Sequence, residues 1–113
     1  MAETFTLSLG GLQVRWESPG EDGVVLALEG DLDNLSVPVL REALDAIYAT
    51  GCFTMVLDLN ELAFTDSSGL GAMVGAWRRC QREGGRLTVI NPSGSVRRLM
   101  DMTGISKLLF PAA

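Results

Sequence analysis

The 113-residue chain contains no histidine. That absence removes a Ser-His-Asp triad, a Cys-His nucleophile pair and every zinc site that needs an imidazole, so catalysis would have to run on carboxylate, lysine or cofactor chemistry. Cysteine is almost as scarce. Cys52 and Cys80 lie far apart with no CxxC between them, which reads as two small core or boundary thiols rather than a disulfide framework. Basic residues are outnumbered: nine Lys and Arg against fourteen Asp and Glu leave a formal net charge of −5. Such a balance repels phosphate backbones and makes DNA, RNA and anionic membranes poor direct partners. No apolar run approaches the roughly 18 to 20 residues that span a bilayer. Met1-Ala2-Glu3-Thr4 is neither basic nor followed by a signal-like apolar core, so the expected location is the cytoplasm. Repeats, linkers and low-complexity tracts are also missing. With 47% hydrophobic residues, the chain can bury one compact core and is too short for two ordinary domains.

What is present reads as alternating strands and helices. Phe5-Thr6-Leu7-Ser8-Leu9 and Leu12-Gln13-Val14-Arg15-Trp16 flank Gly10-Gly11 with the alternation of an edge hairpin or one bent strand. After the turn cluster Pro19–Gly23, Val24–Leu28 predicts a strand pairing back onto the hairpin. It runs into Glu29-Gly30-Asp31-Leu32-Asp33-Asn34, an acidic loop that is either a solvated turn or one wall of a site. Ser36 is placed to cap a helix with Pro38 in its first turn, Val37, Leu40, Leu44 and Ile47 on one stripe, and Gly51 at its end. Phe53–Leu59 is the most apolar short segment and predicts a central strand. A loop then leads to a helix running to about Glu83, with Leu70, Met73, Val74 and Trp77 on its buried stripe. Gly84-Gly85 ends it. Arg86–Ile90 predicts a strand reached by a parallel crossover, about Ser95 to Met102 a helix burying Val96, Leu99 and Met100, and Leu108-Leu109-Phe110 a short terminal strand.

The stretch Asp66-Ser67-Ser68-Gly69-Leu70-Gly71 stands where that second helix begins. Asp and Ser are ordinary helix caps. A serine hydroxyl there also lies beside backbone N–H groups without intrahelical partners, a place that tolerates added negative charge. Gly71 and Gly75 within the helix call for close approach of another backbone, either this protein's own sheet or a partner docked on a flat surface. Gly69-x-Gly71-x-x-x-Gly75 is a weak nucleotide-binding pattern, because its glycines lie inside the helix and Asp66 would face the phosphates. Asp58 at the end of a strand lacks the acidic pair that a magnesium-dependent phospho-acceptor needs, and no Gly-x-Ser-x-Gly elbow with a histidine base exists.

Taken together, Gly30-Asp31-Leu32-Asp33, Leu57-Asp58-Leu59, Phe64-Thr65-Asp66-Ser67-Ser68-Gly69-Leu70-Gly71, Gly84-Gly85 and Val96-x-x-Leu99-x-x-x-Thr103-Gly104 resemble the STAS domains of bacterial anti-sigma factor antagonists. The resemblance covers residues 12–110, with 1–11 as an N-terminal extension or edge strand and 111–113 as a tail. It implies a single α/β domain with a central mixed sheet of four to five strands and helices packed mainly on one side. It further implies a protein that is not an enzyme and needs no cofactor or metal. Unphosphorylated, such a protein binds an anti-sigma factor that doubles as a serine kinase and frees a sigma factor; phosphorylated at the position of Ser67 it lets go, until a serine phosphatase restores it. Asp31, Asp33, Asp66, Ser67, Ser68, Gly69, Gly71 and Gly75 are the expected partner-binding residues, with Ser68 as the N-cap or a nearby polar support, and the protein is expected to be a monomer or weak dimer. STAS domains also serve in stressosome, lipid-transport and anion-transport proteins, so a non-switching interaction subunit is the alternative, with a nucleotide-binding module behind it.

Overall fold

The computed structural model describes residues 3–111; Met1 and Ala2 of the expected extension, and Ala112 and Ala113 of the expected tail, lie outside them. Alternating side chains along the strands decide the architecture. In β1 (Thr4–Leu9), β2 (Leu12–Glu17), β3 (Val24–Leu32), β4 (Thr54–Thr65) and β5 (Arg86–Ile90), every second residue over most of β2 to β5 is buried: Leu12, Val14 and Trp16, then Leu26 and Leu28, Met55 and Leu57, and Leu87 and Val89. Period-two alternation sends these to a single face. The helices α1 (Val37–Tyr48), α2 (Ser67–Arg82), α3 (Gly94–Met102) and the short α4 (Ser106–Leu109) bring Leu40, Leu44, Ile47, Met73, Val96 and Met100 into the same core.

The strands form one five-stranded sheet in the order β1-β2-β3-β4-β5. Neighbours β1/β2 and β2/β3 are antiparallel, joined by short turns; β3/β4 and β4/β5 are parallel, as a strand–helix–strand connection requires. The mixed sheet with helices on one face agrees with the sequence reading.

Four details depart from it. The strand expected to end at Leu28 runs on to Leu32, so Glu29, Gly30 and Asp31 of the expected acidic loop belong to β3. The strand expected to stop near Leu59 continues to Thr65. Its register against β3 shifts twice, between Ala27/Glu29 and between Gly30/Asp31, so β4 spends extra residues in bulges and the alternation that marks a strand is broken there. The expected terminal strand Leu108–Phe110 is instead helical over α4. Three apolar residues carry no readable period. Here Leu109 is buried, and the Phe110 N–H donates to the Ser106 carbonyl. The Ser106 hydroxyl, followed by Arg97, also bonds Asp101 and holds its carboxyl below the usual range. Finally, Ser36 precedes α1 but makes no side-chain cap bond. It is fully buried, and its hydroxyl is drawn back into the preceding turn, donating to the Asp31 carbonyl at 2.8 Å and accepting from the Asp33 N–H at 2.9 Å.

Candidate functional site

Because β3 and β4 are adjacent and parallel, their carboxyl ends open on the same edge of the sheet. Leu32 lies opposite Thr65, so the loop into α1 and the start of α2 emerge side by side. The bulges in β4 make this alignment possible despite its greater length. A single carboxylate then joins the two. Asp66 is the N-cap of α2 in extended conformation; its Oδ1 accepts from the Gly69 N–H at 3.0 Å, while Oδ2 accepts from the Asn34 N–H of the β3–α1 loop at 3.2 Å. Its own N–H donates to the Leu32 carbonyl. Asp66 therefore fixes the helix start against a loop that lies about thirty positions earlier in the chain.

The expected site residues sort into distinct roles. Ser67 is the first residue of α2 and is exposed. With the Gly69 N–H taken by the Asp66 side chain and the Leu70 N–H by the Asp66 carbonyl, the N–H groups of Ser67 and Ser68 are those left without an intrahelical acceptor. Ser68 is half-buried; the cap expected of it is supplied by Asp66, whose carboxylate reaches the third N–H of the helix. Asp33 is half-buried, and its Oδ1 accepts from the N–H groups of Leu35 and Ser36 at 3.0 Å each, so it shapes the loop. Asp31 is exposed at the end of β3 and lies toward the hairpin tip, with its Oδ2 3.6 Å from where a Cβ on Gly11 would sit. The acids thus share one edge, with Asp33 and Asp66 flanking the helix start and Asp31 one strand further out.

The three glycines separate as well. Gly69 is buried, and a Cβ there would fall on Thr65 Oγ1 and within 2.8 Å of Leu32 Cγ; it is a packing residue. Gly71 and Gly75 meet nothing within 4 Å and are exposed. They do not pack on this protein's own sheet; the buried residues of α2 are Gly69, Leu70, Ala72, Met73, Ala76 and Cys80. Gly71 and Gly75 floor a groove of about 300 Å³ between α1 and α2, walled by Arg41, Asp45, Tyr48 and Arg82.

Three large apolar residues near this corner escaped the sequence reading. Leu35, in the loop tied to Asp66, is 76% exposed; Phe64 and Met102 are 50% and 77% exposed. Phe64 and Met102 flank a groove of about 270 Å³ with Thr65, Val96 and Leu99. The available signal was Leu35 standing alone among polar residues, and Phe64 standing next to Thr65 where the strand alternation fails.

Residues 17–110 match the family described as Mlab, STAS domain. The chain belongs to the STAS domain family. Among its relatives is the anti-sigma F factor antagonist of Paenibacillus polymyxa, 36% identical over 87 residues, which are 76% of this chain and 74% of that protein. The STAS domain also matches the solved structure of the anti-sigma factor antagonist SpoIIAA in its unphosphorylated form, with a TM-score of 0.75 at 28% identity over 88% of each chain. The phosphorylated form of SpoIIAA, described as a Bacillus cell fate determinant, gives 0.69 at 28% identity over 88% of this chain and 91% of that one.

Elsewhere this STAS domain offers little reactive chemistry. Among the described residues no group of three or more Cys, Asp or Glu is arranged to hold a metal ion, and no helix is long and apolar enough to cross a membrane. Beside the α1–α2 groove, burial and then the neighbouring Cys80 push the Tyr48 hydroxyl up to about 12. Burial and then Cys52 push the Cys80 thiol up to about 11. Both stay neutral at ordinary pH, and a neutral thiol is a poor nucleophile.

Proposed function

We propose that this STAS domain is an anti-sigma factor antagonist working as a cytoplasmic partner switch. With Ser67 unmodified it binds an anti-sigma factor that is also a serine kinase, so that a sigma factor is freed. Transfer of the ATP γ-phosphoryl group to Ser67 Oγ, with ADP leaving and the hydroxyl proton lost, ends that binding, and hydrolysis by a serine phosphatase restores it. The chain is the substrate and regulator in this cycle rather than its catalyst.

The observation that carries the reading is Ser67 exposed at the first position of α2 while Asp66 caps the helix. Phosphate adds about −1.5 to −2 charges at pH 7. At a helix N-terminus beside free N–H groups, that charge is accommodated without unfolding. Toward a partner it is unfavourable, because Asp33 and Asp66 already flank the position and a further dianion must be desolvated on docking. The similarity to both the unphosphorylated and the phosphorylated SpoIIAA structures supports a switch of surface charge with little change of fold. Exposed Leu35, Phe64 and Met102, with Gly71 and Gly75 one and two turns along α2, supply a contact area around the serine.

The test is to incubate the protein with candidate kinase anti-sigma factors and ATP, mapping phosphate by mass spectrometry on the wild type, Ser67→Ala and Ser68→Ala. The expected result is label lost only in Ser67→Ala. Label that persists in Ser67→Ala and vanishes in Ser68→Ala rejects the acceptor. Ser67→Asp is expected to keep its circular dichroism spectrum and bind the kinase far more weakly; undiminished affinity rejects the charge mechanism.

A further inference from the structure

At the outer edge of the sheet, β1 consists of Thr4, Phe5, Thr6, Leu7, Ser8 and Leu9, a strand with no charge, no proline and an unbroken register against β2. Exposed edges ordinarily carry charge, proline or a bulge that discourages another strand from adding to them. The opposite edge, β5, is only five residues long, begins with Arg86, and is packed by α2 and α4. β1 is touched by α1 on its face, but among the described residues no strand pairs with its outer edge.

Its hydrogen-bonding direction follows from the ladder. The Ser18 N–H donates to the Glu3 carbonyl at 2.8 Å, directly continuing the pairing in which Thr4 faces Glu17 and Leu7 faces Val14. Antiparallel pairs alternate between those that exchange hydrogen bonds and those that do not. Glu3, Phe5, Leu7 and Leu9 therefore direct their backbone groups to β2, and Thr4, Thr6 and Ser8 direct theirs outward.

We propose that β1 pairs antiparallel with β1 of a second copy of this chain, Thr6 facing Thr6 on the two-fold axis and Thr4 facing Ser8, so that two sheets become one. Reversed about Thr6, the outward set is its own complement: N–H meets C=O along the edge, and small hydroxyl side chains meet small hydroxyl side chains. Phe5 then lies opposite Leu7 of the partner copy, on the face where Phe5 already stacks on Trp16 at 5.4 Å. β1 itself is uncharged, so two copies, each with a net charge of −5, meet there with little local repulsion. The antiparallel arrangement points the two hairpin tips in opposite directions. Two strands separate β1 from β4, so the Ser67 corners of both copies stay open and the pairing is independent of the switch.

Sedimentation velocity on the full chain, from micromolar to near-millimolar protein, is expected to show a reversible monomer–dimer equilibrium. Thr6→Glu is the informative variant. Within one chain Thr6 faces Arg15, so the new carboxylate suits its own hairpin; across the axis it meets its own copy, and dimerisation is expected to weaken by about tenfold or more. Hydrogen exchange read by NMR is expected to slow at the Thr6 and Ser8 amides as concentration rises. A single monomeric species at every concentration overturns the proposal. So does a dimer undiminished in Thr6→Glu, or one in which the Thr6 and Ser8 amides exchange as fast as in the monomer.

Discussion

Replacing Asp66 with alanine removes the cap of α2 and the acceptor for the Asn34 N–H together. The expected loss is about 1–2 kcal/mol of unfolding free energy, the usual range for a capping residue, measured by urea denaturation. Asp66→Asn keeps one capping oxygen but turns its NH2 toward the Asn34 N–H, so it should lose only part of that stability while removing a negative charge next to Ser67. If the acidic surroundings of Ser67 contribute to release of the phosphorylated form, Asp66→Asn narrows the affinity gap between unmodified protein and Ser67→Asp. At this scale the sequence picked out Asp33, Asp66, Ser67 and Ser68, which the fold brings to one corner, but not the bonds each of them makes. Asp and Ser are equally good caps on paper, and only the reach of the Asp66 carboxylate to Gly69 assigns the cap to it. Ser36 shows the converse: its position was read correctly, but burial turns its hydroxyl toward Asp31 and Asp33 rather than toward the helix.

Within α2, identical residue types at neighbouring positions have opposite consequences. Gly69→Ala forces a methyl onto Thr65 and Leu32 and is expected to cost about 1–3 kcal/mol as overpacking. Gly71→Ala and Gly75→Ala place theirs in open space and should each stabilise the helix by about 0.5–1 kcal/mol. Thermal melts of the three variants check the stability order, and kinase binding reports function. A groove floored by Gly71 and Gly75 and used by the partner loses affinity as those alanines gain stability, a pairing that a purely structural glycine does not give. Helical periodicity located this element and two of its buried residues, Leu70 and Met73, but not Ala72, Ala76 and Cys80, which are buried while Val74 and Trp77 stay half-buried. Period counting also failed in β4, where bulges interrupt the alternation, and over Leu108–Phe110, where three residues are too few to separate strand from helix.

For the molecule as a whole, pH and surface variants probe different things. Burial raises the Cys80 thiol from an ordinary value of 9.0 to about 11 and the Tyr48 hydroxyl from 10.0 to about 12. The folded state therefore holds these protons more tightly than the unfolded chain does. Their contribution is complete below pH 9, is lost progressively as pH rises toward about 12, and the melting temperature should fall across that window. Leu35→Ser and Met102→Ser, both at exposed positions, should leave the melting temperature nearly unchanged and weaken kinase binding by about tenfold each if these side chains anchor the partner. The amino-acid sequence by itself determined every element type but the last, the mixed sheet and the Asp66-Ser67 block, because these rest on local periodicity, capping chemistry and short motifs. Tertiary structure alone decided that Asp66 clasps Asn34, that Gly69 is packed while Gly71 is open, and that Leu35, Phe64 and Met102 lie exposed around one corner. Those facts depend on two parallel strands ending level with one another, a register set by bulges and core packing between residues far apart in the chain.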